Sequence, residues 1–317
     1  MLTACHRWKT TLLGFAGVRG ISWLASVLRT RELPVAEDFT PQEVAAPGTQ
    51  YLELSHGPVA YVERGQGEPA VIFIHGFGGQ YHTWAPIQDA LASQHRTVAF
   101  DLYGFGASAR PARITPQDWA GQALELMDAL QISSAVFVAH SLGGRVTLMT
   151  ASRAPERVRG MLLCDCDYGQ ARHGYFLTWA IAHTPLLAQL MGRLRGNPEH
   201  LRRLLRYGYG SAFSVSDALL HHHRQPLRVT GTAATLTALG CANPFHELAD
   251  LPRAVHCPTM VLWGTEDQII PVEWARYLMH KLPASSELVE LPGIGHFPQE
   301  ECPEVVLGHL QRFLARL

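Results

Sequence analysis

A serine hydroxyl attacks a carbonyl only when a base takes its proton, and one serine of this sequence sits where that can be arranged. Ser141 lies in Val138-Ala139-His140-Ser141-Leu142-Gly143-Gly144, after an apolar run and at the opening of a helical pattern. A sharp strand-to-helix turn leaves no room for bulk on either side of the nucleophile, and Ala139 and Gly143 meet that need. The helix start would also set the Leu142 N–H and a positive dipole end beside the reacting oxygen. A candidate base is His296, in Gly293-Ile294-Gly295-His296-Phe297-Pro298. The acids able to orient it are Asp267 and its neighbour Glu266, in the segment Leu262 to Pro271, and Asp165 or Asp167, after another apolar run.

These residues need a scaffold, and the sequence supplies a regular one from Thr49 onward. YLEL and VAYVER, separated by SHGP, read as a hairpin. Six short apolar runs follow at 70–75, 97–102, 135–140, 160–165, 259–264 and 287–292, with amphipathic helical stretches between most of them. Continuous apolar runs suit strands covered on both faces, so the order implies a mostly parallel, helix-flanked sheet of eight strands. The interval from about 167 to 255 holds helical segments and no convincing strand, and reads as a helical cap inserted before the acid-bearing strand. Caps lie over the carboxyl ends of parallel strands, where open sheets bind ligands.

The 317 residues are 47% hydrophobic and 17% charged, with Lys+Arg 26 against Asp+Glu 27. A formal charge of -1 gives no basic field for nucleic acid, which is not an expected partner. The six cysteines show no C-x-x-C pair, so a reducing, cytoplasmic setting fits best. Cys164 and Cys166 are expected on one face of a strand as small buried hydrophobes. Residues 1–48 read as a leader helix and linker. The stretch 8–31 is apolar with arginines at 19, 29 and 31, and Arg19 leaves too short a run to cross a bilayer. It suits either a helix packed on the domain or peripheral contact with a membrane surface.

The segment around Ser141 resembles the nucleophile elbow, G-x-S-x-G, of the α/β-hydrolase superfamily, with Ala139 in place of the first glycine. The resemblance covers about residues 49 to 317 and is closest to the serine esterase and lipase branch with a helical cap. It implies that the Phe77 N–H, in His75-Gly76-Phe77-Gly78-Gly79, joins the Leu142 N–H as an oxyanion hole. It also implies Asp267 as the acid, in the chain order Ser, Asp, His that this superfamily uses. Gly76, His140, Trp84 and Trp179 are the expected substrate contacts, and neither a cofactor nor a metal is required. The implied substrate is a small carboxylic ester with an apolar acyl group. Carbon–carbon bond hydrolase of the meta-cleavage-product type, amidase, lactonase and perhydrolase chemistry use the same triad, and a serine argues against the epoxide-hydrolase and dehalogenase branches. A non-catalytic ligand receptor and a membrane-surface lipid hydrolase are the readings from other classes.

Two further motifs fall away on context. Gly104-x-Gly106-x-x-Ala109 follows a strand, but Arg110 and Pro111 come next instead of a helix, so a dinucleotide is not expected there. His221-His222-His223 point in different directions on a helix and read as a solvated surface.

Overall fold

The computed structural model describes residues 39–169, 197–232, 234, 235 and 250–317. The stretch 8–31 and Trp179 lie outside the described residues. Eight strands form one sheet: β1 (Gln50–Leu54), β2 (Gly57–Arg64), β3 (Ala70–Ile74), β4 (Thr97–Phe100), β5 (Ala135–His140), β6 (Val158–Cys164), β7 (Thr259–Gly264) and β8 (Glu287–Leu291). Their order is β1-β2-β4-β3-β5-β6-β7-β8. The β1–β2 and β2–β4 pairings are antiparallel, and every pairing from β4–β3 onward is parallel. The hairpin and all six apolar runs of the sequence are strands, trimmed or extended by a residue or two at their ends.

The helices are α1 (Ala85–Leu91), α2 (Pro116–Ala129), α3 (Leu142–Arg153), α4 (Pro198–Gly208), α5 (Asp217–Leu227), α6 (Glu273–Met279), α7 (Pro298–Glu301) and α8 (Pro303–Leu314). Side chains alternate along each strand, so the sheet feeds two cores. In β3, Ile72 and Ile74 join Trp119 and Leu126 of α2, Val146 of α3 and Leu278 of α6. Val71 and Phe73 enter the opposite layer, with Ile87 of α1 and Leu310 and Phe313 of α8. This two-sided burial is why the inner strands read as unbroken apolar runs.

Helix starts follow ordinary capping chemistry. Thr115 and Asp118 form a reciprocal capping box at α2, and the Asn197 side chain accepts from the Glu199 and His200 N–H groups at α4. Between β6 and β7, α4 and α5 carry a small core of their own built on Leu201, Leu205, Tyr209, Val215 and Leu220. Phe297, after β8, packs against that core.

One expectation about the sheet is corrected. Cys164 and Cys166 are both buried and free, but they face opposite layers. The strand ends at Cys164, and Asp165 turns the chain at a φ of 45°, which breaks the alternation. Among the described residues no helix is long and apolar enough to cross a membrane.

Candidate active site

Ser141 stands between β5 and α3 with φ 49° and ψ -114°, a conformation that costs a side-chain-bearing residue of order 1–3 kcal/mol. The surroundings over-determine it. Its N–H donates to the Cys164 carbonyl at 2.9 Å, and its own carbonyl accepts from Asp167 N–H at 3.0 Å and Gly144 N–H at 2.9 Å. The two following glycines are steric necessities. A Cβ on Gly143 would come within 2.5 Å of the Ile74 carbonyl oxygen, and one on Gly144 within 2.2 Å of Cys166 Sγ.

The Ser141 Oγ lies 3.1 Å from His296 Nε2, and His296 Nδ1 lies 2.7 Å from Asp267 Oδ2. With the Nδ1–H donating to the carboxylate, Nε2 is left as an acceptor facing the serine, which is the tautomer a general base needs. Asp267 Oδ1 accepts from the N–H groups of Ile269 and Ile270 at 2.7 and 2.8 Å, so the carboxylate keeps a fixed orientation in the turn after β7. All three side chains are buried.

The other acids are engaged elsewhere. Glu266 accepts from Ser211 N–H at 2.6 Å, and this backbone hydrogen bond lowers its pKa. Asp167 ion-pairs with Arg145 and accepts from Gly169 N–H. Asp165 is fully buried behind Asp267 and accepts from Gly264 N–H at 3.0 Å. Burial and then the Asp267 carboxylate push its pKa well above the carboxylate range.

Main-chain contacts hold the histidine from outside the triad. The His296 N–H donates to the Gly208 carbonyl at 2.6 Å, at the end of α4. His140, just before the serine, donates Nε2–H to the His296 carbonyl at 2.6 Å, and its ring lies 4.8 Å from that of His296. Burial, and next the neighbouring His296, lowers the His140 pKa to about 3, so it is a neutral donor. A Cβ on Gly76 would stand 2.6 Å from His140 Nδ1 and 3.1 Å from Ser141 Cβ, so only glycine lets the β3 loop come this close.

That loop carries Phe77, whose ring is exposed and packs edge-on against Phe105 at 5.4 Å. Its anchor is His75, where Nε2 accepts from Leu102 N–H at 3.0 Å and Nδ1 donates to the Gly76 carbonyl at 2.7 Å. Burial holds its pKa down at about 4. Asp101 Oδ1 stands 3.8 Å from His75 Nε2, but a nitrogen that accepts a backbone proton makes this no ion pair. Asp101 serves its own loop by accepting from Tyr81 and Ala107 N–H, and burial lifts its pKa to about 7.

A cavity of about 270 Å³ opens over Ser141 and His296. Phe77, Leu201, Leu204, Leu205, Leu227 and Phe297 supply most of its apolar wall. Gly76 and His140 line it as expected. Trp84 does not: it is fully buried in the α1 layer, 5.4 Å from Phe73, because the short helical turn at Tyr81–Trp84 points it into the sheet.

The histidine triplet is also corrected. Of the three, only His221 is exposed. His222 packs against His82 at 5.0 Å and lies 3.1 Å from the Gln80 amide nitrogen, and burial lowers its pKa to about 4. His223 Nε2 lies 3.0 Å from Glu300 Oε2 and 2.9 Å from the Tyr209 hydroxyl. Glu300 further accepts from Thr83 Oγ1 at 2.5 Å and from the Tyr209 hydroxyl. Burial alone would raise the Glu300 pKa, but His223 and these hydrogen bonds outweigh it and hold it down to about 2. Thr83, His223, Gln299 and Glu300 form a polar stretch of the cavity wall that no sequence motif marked.

A family model described as the alpha/beta hydrolase fold matches residues 69–303, and the chain belongs to that family. Among curated proteins it is similar to the dihydrolipoyllysine-residue acetyltransferase component of the acetoin cleaving system of Pseudomonas putida. The two are 31% identical over 288 residues, which is 89% of this chain and 73% of that protein. Among solved structures, a thermophilic esterase from Thermogutta terrifontis superposes with a TM-score of 0.70 at 24% identity, over 84% of this chain and 98% of that one. A membrane phospholipase A gives a TM-score of 0.72 at 22% identity, over 99% of this chain and 97% of that one.

Proposed function

We propose that this protein is a serine hydrolase that cleaves carboxylic esters carrying an apolar acyl group. The observation that carries the reading is the unbroken hydrogen-bonded chain from Asp267 through His296 to Ser141, at the floor of a mostly apolar cavity. His296 Nε2 takes the Ser141 proton as Oγ attacks the ester carbonyl, and Asp267 stabilises the imidazolium that forms. The tetrahedral oxyanion rests on the N–H groups of Phe77 and Leu142, each worth about 10²–10³ in rate. His296 then hands its proton to the departing alcohol, and water, deprotonated by the same nitrogen, releases the acid from the acyl-enzyme.

A chain-length series of p-nitrophenyl esters, hydrolysed by the wild type and by Ser141→Ala near pH 7.5, tests this. Turnover that disappears in Ser141→Ala supports the nucleophile, and the preferred length reports the acyl pocket. A wild type that cleaves none of them sinks the ester reading and turns attention to carbon–carbon, amide and lactone substrates.

A second reading, a lipid hydrolase working at a membrane surface, is favoured by the stretch 8–31 with arginines at 19, 29 and 31. The comparison that spans 99% of this chain is with a membrane phospholipase A. Flotation with anionic vesicles would compare the full chain with its Arg19→Glu, Arg29→Glu, Arg31→Glu variant; equal binding defeats this reading.

A further inference from the structure

The polar stretch of the cavity wall is built around one charge, the ionised Glu300. The Thr83 hydroxyl has a single proton and gives it to Glu300 Oε1 at 2.5 Å, and the Tyr209 hydroxyl gives its own to Oε2. His223 Nε2 lies 3.0 Å from that Oε2 and 2.9 Å from the Tyr209 oxygen, and neither oxygen has a proton left to give. Nε2 therefore carries the ring proton, which leaves the lone pair on Nδ1. Nothing among the described residues bonds Nδ1, and it is not sealed in. The His223 and Glu300 side chains are 12% and 10% exposed, and both line the cavity.

A carboxylate taken out of water is costly unless an opposite charge accompanies it. Among the described residues neither Lys nor Arg ion-pairs with Glu300, and none lines the cavity. A second proton on His223 would sit on Nδ1, where no acceptor among the described residues meets it. His75 and His140, on the same wall, are held neutral by burial. The wall thus presents a carboxylate behind an imidazole lone pair, in a mostly apolar cavity, with the countercharge left to a ligand. Phe297 stands between this pair and the triad, its ring 5.6 Å from that of His223 and 5.3 Å from that of His296. A ligand group held by His223 is therefore a ring's width from the reacting carbonyl.

We propose that His223 and Glu300 form a subsite for a protonated aliphatic amine, whose N–H bonds His223 Nδ1 and whose charge the Glu300 carboxylate balances. The substrate class is then a basic ester, with the amine on a hydrocarbon spacer on one side of the scissile bond. This rests on the ester reading of Ser141. Both residues determine specificity here: a cation matches the wall, a neutral chain end leaves the carboxylate uncompensated, and an anion is repelled.

The test uses three matched chain ends, dimethylammonio, isopropyl and carboxylate, on spacers of two to eight carbons near pH 7.5. p-Nitrophenyl alkanoates carry them on the acyl side and alkyl butyrates on the alcohol side. On one arm and at one spacer length, the wild type should prefer the dimethylammonio ester over its isopropyl isostere by about tenfold in kcat/KM, the size of one charge-assisted hydrogen bond. The carboxylate ester should be the slowest of the three. Glu300→Gln should bring the first ratio near one, whereas a purely structural role would lower all three esters together. His223→Leu should also reduce the ratio and serves if Glu300→Gln folds poorly. Equal wild-type rates for the dimethylammonio and isopropyl esters on both arms overturn the subsite while leaving the esterase intact, as does a preference that both variants keep. If no ester is turned over, calorimetric binding of the same esters to Ser141→Ala still decides: tighter binding of the dimethylammonio member supports the subsite, and equal binding refutes it.

Discussion

His140 ties the backbone of the candidate base to the residue before the nucleophile, and it does so as a neutral imidazole, which makes the fold acid-sensitive in a calculable way. Its pKa falls from 6.5 in the free side chain to about 3 in the protein, through burial first and then the nearby His296. A lowered histidine pKa means that the unfolded chain binds the proton first. The stabilisation is therefore complete above pH 6.5 and is lost as pH falls from there toward 3. Between pH 7 and 5 the proton occupancy of the unfolded state climbs from about a quarter to nearly one while the folded state takes up almost none, and at 1.36 kcal/mol per unit this removes about 2 kcal/mol. His75, held at about 4 by burial, contributes a second loss of about 2 kcal/mol over the same interval. Urea unfolding at pH 7, 6 and 5 should show His140→Gln losing about 2 kcal/mol less than the wild type over that interval, whatever the other buried groups contribute to both. A variant whose stability falls in parallel with the wild type would show that His140 is not the buried neutral donor described above.

Three further outcomes follow from the site. On the proposed mechanism Asp267→Asn should lower kcat by about 10³–10⁴ because the imidazole loses its orienting charge and its tautomer, whereas Glu266→Gln, engaged with Ser211, should leave turnover of the same p-nitrophenyl ester within about twofold. Glu300→Gln should destabilise the protein by about 3 kcal/mol at pH 7, from a carboxyl held at about 2 against 4.5 in the free side chain. The sign is that of a lowered carboxylate: the difference is full above about pH 5 and vanishes as pH approaches 2, and urea curves across that range check it. Gly144→Ala places a methyl within 2.2 Å of Cys166 Sγ and should cost about 1–3 kcal/mol, read as a lower urea midpoint with unchanged slope.

The strands were legible because two-sided burial forces continuous apolar runs, and the meeting of Ser141, Asp267 and His296 was legible because each lies in the turn that follows such a strand, Ser141 and His296 beside glycines. The Thr83, Tyr209, His223 and Glu300 cluster was not. Its members come from the turn at Tyr81–Trp84, the end of α4, α5 and the short helix α7, with no local spacing, and a histidine triplet on a polar helix looks solvated until the helix is seen lying over a cavity. Trp84 was misplaced for a related reason: nearness in sequence to the β3 loop says nothing about which side of a one-turn helix faces the sheet. Cys166 was misassigned because a single left-handed residue, Asp165, ended the alternation a period-two reading assumes.

The bond from the His296 N–H to the Gly208 carbonyl ties the inserted helices to the sheet. A Cβ on Gly295 would stand 2.4 Å from that same carbonyl oxygen and 2.4 Å from the Gly210 nitrogen, so the base-bearing loop and the end of α4 are fitted backbone to backbone. The insertion is then no interchangeable module. Substitutions in α4 and α5 are free to vary their cavity-facing side chains, but residues 208–210 must keep their path or His296 moves with them. The cavity wall can therefore be reshaped through side chains and through chain distant from that seam.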